Sequence, residues 1–220
     1  MYPERILLDV ESQRDFFRLG GACYRVGAAE TARRIYRLFA WARLGRIPVI
    51  STVLRVRPGE SGLTCDCSHC LEGSEGEKKL PRTVLPRRIN LGLRHTTDLP
   101  DHIFRRYQQV IFEKRHTDIF AHPRAERLIT ELPPATFVLC GAGVSAGIVQ
   151  AAVGLRSRGF PVIVARDASL ALTPEAAHMA YLRMEAKGVV LAPTAKILTP
   201  PRRRRHRLLR AAHPAGRQTL

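Results

Sequence analysis

Along most of this chain, short apolar runs of strand character alternate with longer stretches in which apolar residues recur at helical spacing, and this rhythm constrains the fold more than any other feature. Ile6-Leu7-Leu8 opens as a buried strand. From Ala28 to Leu44, residues Ala28, Ala32, Ile35, Phe39 and Ala42 keep helical spacing, while Arg33, Arg34, Arg37 and Arg43 fall largely on other faces. Pro48–Val56 is the next strand, and Val110–Phe112 another. Pro123–Leu132 reads as a helix, Thr136–Cys140 as a strand, Ser145–Arg158 as a helix closed by Gly159, and Pro161–Ala165 as a strand. Thr173-Pro174 supplies an N-cap and a first-turn proline for a helix ending near Gly188, before a last strand, Val189–Leu191. Repeated β/α alternation predicts a parallel sheet covered by helices on both faces, with its site where strands end at their carboxyl edges. Residues 57–108 break the rhythm with Pro, Gly, Cys and charge, and read as an irregular insertion or lid. There is no internal repeat.

With 220 residues, 45% hydrophobic and 25% charged, the chain is large enough for one core. The expected division is a domain over 1–199 and an arm over 200–220. Seven arginines and no acid lie in that arm, leaving 29 basic against 19 acidic side chains in residues 1–199. After Pro200-Pro201 the arm offers little to bury, so it is expected to be disordered and solvated, with weak attraction for a polyanion as its functional reading. No apolar run spans a bilayer and the start lacks the pattern of a signal peptide, so no membrane partner is expected. Five cysteines, three of them crowded into Cys65, Cys67 and Cys70, do not make a disulfide framework, and a reducing cytoplasm is the expected location.

Four blocks, in order, carry a family resemblance. Asp9-Val10-Glu11-Ser12-Gln13-Arg14-Asp15-Phe16 with Gly20-Gly21 resembles the first-strand motif of the isochorismatase-like (cysteine) hydrolases, in particular their nicotinamidase branch. His69-Cys70-Leu71-Glu72-Gly73-Ser74-Glu75-Gly76 is similar to that branch's His-Cys loop, and Phe112 to Phe120 to its lysine-bearing strand end. Gly141 to Ile148, with Gly159-Phe160 and Asp167-Ala168, resembles the nucleophile turn and the strand beyond it. The resemblance covers roughly residues 5–198. It implies a Rossmann-like three-layer α/β/α sandwich with a roughly six-stranded parallel sheet, a small-molecule substrate or ligand, and assembly into homo-oligomers.

It also implies a catalytic triad in which a Cys thiolate attacks an amide carbonyl, a carboxylate moves the proton and a lysine holds the charge. The matching positions are Glu11, where the family usually has Asp, Lys114, and Gly147 at the nucleophile position. Glycine has no side chain to attack with, so thiol catalysis is not available at that position. Gly143, Val144, Phe16 and His116 are the positions expected around a ligand, and Gly141 and Gly143 allow a tight strand-to-helix turn. Cys140 precedes the turn by seven residues and reads as a small core hydrophobe. The metal of nicotinamidases is held by an Asp-x-His after the second strand; here Leu54-Arg55-Val56 stand there, so neither metal nor cofactor is expected. Cys65, Cys67, His69 and Cys70 are soft donors, but a structural zinc site usually draws on two separated pairs.

Isochorismatases and a related vinyl-ether hydrolase resemble this chain in having Gly where the amidases have Cys. There a carboxyl acts as general acid, a role Glu11 or Asp9 could take, with Lys114 as the charge clamp. Two readings therefore stand: a thiol-free hydrolase acting on a small anionic or amide-bearing metabolite, and a catalytically silent member kept as a binding or subunit protein. An open pocket favours the first, and one filled by residues 57–108 favours the second.

Overall fold

The computed structural model describes residues 4–60 and 67–199; the Arg-rich arm and Cys65 lie outside the described residues. Seven strands form one sheet: β1 (Arg5–Val10), β2 (Val49–Leu54), β3 (Arg88–Asn90), β4 (Gln109–Lys114), β5 (Thr136–Ala142), β6 (Val162–Leu170) and β7 (Val190–Ala192). Their order is β3-β4-β2-β1-β5-β6-β7 and every pairing is parallel. The helices are α1 (Arg14–Phe17), α2 (Ala28–Leu44), α3 (Ile103–Arg106), α4 (Pro123–Thr130), α5 (Val149–Ser157), α6 (Pro174–Ala186) and α7 (Thr194–Leu198).

The period of two in β1 builds two cores. Ile6, Leu8 and Val10 pack with α4, α5 and α6 through Leu128, Leu155 and Met184, whereas Leu7 packs on the other face with Ile35, Leu38 and Phe39 of α2 and Ile197 of α7. Each of these large side chains, fully buried, contributes about 1.5–3 kcal/mol. The result is the three-layer sandwich expected from the alternation. Among the described residues, no helix is long and apolar enough to cross a membrane.

The sheet has one strand more than the six expected. The addition is β3, within the irregular 57–108 stretch, and its sequence Arg-Ile-Asn carries no apolar run because it is an edge strand whose residues are exposed or only partly buried. The expected helix over 145–158 divides into a π-helical turn, Val144–Ile148, and then α5. Gly143, at φ 72°, starts that turn.

The chain leaves β1 through α2 to β2 on one side, while β5 lies on the other. The strand order therefore reverses beside β1, and the carboxyl ends of β1 and β5 flank the crevice that such a switch point opens. Glu11 directly follows β1, Lys114 ends β4, and the Gly143–Ile148 turn follows β5.

Candidate active site

Glu11 is a non-glycine residue at φ 52°, a left-handed conformation that costs about 1–3 kcal/mol and persists only when its surroundings hold it. Its amide donates to Thr52 Oγ1 at 3.2 Å, and its carbonyl accepts from the Gln13 amide at 2.7 Å. This twist takes Glu11 out of the strand's alternation, so it does not share a partner with Asp9. Lys114 Nζ donates to Glu11 Oε1, to the His116 carbonyl at 2.8 Å and to the Thr117 carbonyl at 2.9 Å, which uses all three ammonium protons. Both side chains are buried.

Asp9 belongs to a second buried ion pair. Lys79 Nζ lies 2.6 Å from Asp9 Oδ2, Ser51 Oγ donates to the same oxygen at 2.9 Å, and Ser12 Oγ donates to Oδ1. With both oxygens engaged and its lysine supplied, Asp9 is an internal anchor between β1, β2 and the 57–108 segment. Lys79 carries no motif, and sequence reasoning missed it; a lysine in an otherwise exposed-looking charged run gives no signal of burial.

Gly147 lies in the π-helical turn, buried against β1. A Cβ built there would stand 2.9 Å from Val10 Cγ1 and 3.1 Å from Glu11 Oε1, closer than ordinary van der Waals contact. The carboxylate, one methylene longer than Asp, thus extends into the space where a nucleophile's side chain would begin. Neither Cys140 nor Cys70 is suited to take its place. Burial pushes the Cys140 thiol up, with the Asp9 charge adding to it. Cys70 is also pushed well up, first by burial and then by Glu11, Asp15 and Glu77, so both remain protonated thiols.

Of the residues expected around a ligand, Gly143 and Val144 are in the turn and buried. The Gly143 amide donates to the Leu170 carbonyl at 3.1 Å. His116 is exposed and offers its carbonyl to Lys114. Phe16 is buried with its ring edge-on to His69, centroids 5.4 Å apart. Beside Lys114, among the described residues, lies a small cavity with room for about one water, lined in part by Leu93, His95, His116 and His122. Its outer wall comes from the irregular segment, tied to α4 by Arg124: the guanidinium donates to the Leu91 carbonyl at 2.7 Å and to both oxygens of Asp98 at 2.7 Å.

His122 completes this wall. Its Nε2 lies 2.9 Å from the Gly92 carbonyl, which makes that nitrogen the donor, and its ring meets Phe112 edge-on. Burial holds its pKa below the ordinary 6.5, with the neighbouring His95 and Arg124 charges acting in the same direction. The unfolded chain therefore takes up a proton near pH 6.5 that the folded chain refuses. Stability is expected to fall as pH drops below about 6.5 and to level off under the folded value, at about 1.4 kcal/mol per pKa unit of depression. Denaturant unfolding at pH 7.5 and pH 5 checks this: the difference should shrink in His122→Gln, and an unchanged difference would exclude His122 as its source.

The position of the nicotinamidase metal does not suit a cation. Leu54 and Val56 are buried apolar side chains, and Arg55 is held by Glu77 at 2.5 Å and Glu113 at 2.7 Å. A guanidinium in that place repels the ion that the family's Asp-x-His would bind.

A parallel α/β sandwich with a carboxylate after β1, a lysine ending β4 and a tight turn after β5 defines the isochorismatase-like class of hydrolase fold. The chain belongs to the isochorismatase family, whose domain matches residues 5–196. Among solved structures it is similar to the nicotinamidase/pyrazinamidase PncA of Bacillus subtilis, at 18% identity over 86% of this chain and 99% of that one, with a TM-score of 0.67. N-carbamoylsarcosine amidase of Thermoplasma acidophilum is 16% identical over 87% and 96% of the two chains, TM-score 0.64. The MAR1 ribonuclease of Caenorhabditis elegans is 18% identical over 90% and 81%, TM-score 0.62. At these identities the likeness is one of fold, and the three carry different named activities. No curated protein matches the sequence significantly.

Proposed function

We propose that this chain is a family member that works by binding, as a ligand-holding or subunit protein, and that its ancestral reaction centre has become an internal ion pair. One observation carries the reading: the space in which a nucleophile at position 147 would begin is taken by the Glu11 carboxylate, itself locked on Lys114. A lysine with three donors already used has none left for a substrate anion, and the cavity beside it is too small for a metabolite.

A second reading, thiol-free acid hydrolysis, has one observation in its favour. Glu11 Oε2 is buried without a hydrogen-bond partner, as a general acid waiting for substrate would be. A turnover screen of the purified full chain against nicotinamide, related amides and isochorismate separates the two. The binding reading predicts no turnover above that of Glu11→Gln and Lys114→Ala. Isochorismate turnover that is lost in both variants and survives iodoacetamide would replace it with acid catalysis. Amide turnover abolished by iodoacetamide would overturn both.

A further inference from the structure

We propose that in the reduced protein Cys23, Cys67 and His69 bind a zinc ion that pins the irregular segment to the turn after α1. The donors come from two separated parts of the chain, as structural zinc sites require: Cys23 follows α1, and Cys67 and His69 belong to the segment that breaks the β/α rhythm. A donor atom from each of the three lies within 4.8 Å of the other two. The sulfurs of Cys23 and Cys67 are 3.4 Å apart, a few tenths less than the roughly 3.8 Å that two sulfurs take when each is 2.3 Å from a tetrahedral ion. A slight outward movement therefore makes room for the metal.

The surroundings hold this arrangement independently of any ion. The Asp15 carboxylate accepts from the Ala22 amide at 3.3 Å and the Cys70 amide at 2.6 Å, so one side chain fixes the residues next to both donor segments. Gly76 permits this, since a Cβ there would overlap that carboxylate. His69 Nδ1 lies 2.9 Å from the Cys67 carbonyl. A carbonyl only accepts, so Nδ1 carries the proton and Nε2 keeps its lone pair, the tautomer and backbone support typical of a metal-ligating histidine. Cys23 and His69 are buried, whereas Cys67 is partly exposed and gives an ion a way in. Two thiolates and an imidazole select a soft or borderline cation, and water can complete the tetrahedron.

The donor set differs from the Cys-Cys-His-Cys run read in the sequence. Cys70, in a left-handed conformation at φ 52°, is not one of the three clustered donors, and Cys23, 44 residues before Cys67, takes part instead. Cys23 is disulfide-bonded in this structure, so the metal site is one of the reduced chain and closes on oxidation. Its donors are residues other than Glu11 and Lys114, so its test does not depend on whether the chain hydrolyses a substrate.

The test uses the full chain, kept in a phosphine reductant, stripped with a chelator, loaded with Zn²⁺ or Co²⁺ and desalted. One zinc per chain is expected, together with thiolate-to-cobalt absorption of a tetrahedral site and a higher Tm for the loaded form. Cys67→Ser, at a partly exposed position where folding is not threatened, should weaken zinc binding at least ~100-fold, and His69→Ala should do the same; Cys70→Ser and Cys140→Ser should retain the ion. Failure of the reduced wild type to keep zinc would overturn the proposal, as would equal retention by Cys67→Ser or loss confined to Cys70→Ser.

Discussion

Lys114→Met should lower the unfolding free energy by about 3–5 kcal/mol, a large share of the stability of a domain this size. The ammonium is nearly inaccessible, at 4% exposure, and its removal leaves the Glu11 carboxylate buried without a counter-charge. It also strips the His116 and Thr117 carbonyls of their donor, and each buried unsatisfied group adds to the penalty. Most of this cost is that of an orphaned partner, so Glu11→Gln/Lys114→Met should recover at least half of it even though it removes more of the site. Urea unfolding of the three proteins at pH 7 measures both. A single variant within 1 kcal/mol of wild type would mean that the pair is solvated and open, which favours a working site.

Gly147→Cys, which restores the family's nucleophile in name, should destabilise by about 1–3 kcal/mol, the usual range for overpacking. Its Cβ would press on Val10 Cγ1 at 2.9 Å and Glu11 Oε1 at 3.1 Å, and neither neighbour can retreat freely. Val10 is packed in the core, and the Glu11 oxygen is held by Lys114. The same variant should not gain hydrolytic activity, because the cavity beside the pair still has room for only about one water. Thermal unfolding reports the first expectation and the amide screen the second.

How much of this was legible in the sequence depends on what each feature needed. The sandwich followed from apolar periodicity, since β1, α2 and β5 bury their faces through runs that announce them. The strand β3 did not, because an edge strand of Arg-Ile-Asn buries too little to leave a pattern. Glu11, Lys114 and Gly147 were placed by the resemblance to the family's motifs, and the structure brings them together. What could not be read was direction. Asp9 and Glu11 are two residues apart and would share a face of an ideal strand, yet the left-handed backbone at Glu11 sends them to different lysines. Lys79 lies 70 residues from its partner in a segment without periodicity, and the approach of Cys23 to Cys67 joins residues 44 positions apart. Tertiary pairings of this kind leave no local signature.

The central claim is that Glu at position 11 and Gly at position 147 compensate one another, the longer acid occupying what the missing side chain vacated. A double-mutant cycle with Glu11→Asp and Gly147→Cys, measured as unfolding free energies, tests it most directly. Asp withdraws the oxygen that crowds the new Cβ, and Cys fills the space that Asp leaves. The double variant should therefore be more stable than the sum of the single effects predicts, by at least ~1 kcal/mol, which is within the range for residues in contact. Additivity within ~0.5 kcal/mol would mean that the two positions are independent, and the account of a closed reaction centre would have to be abandoned.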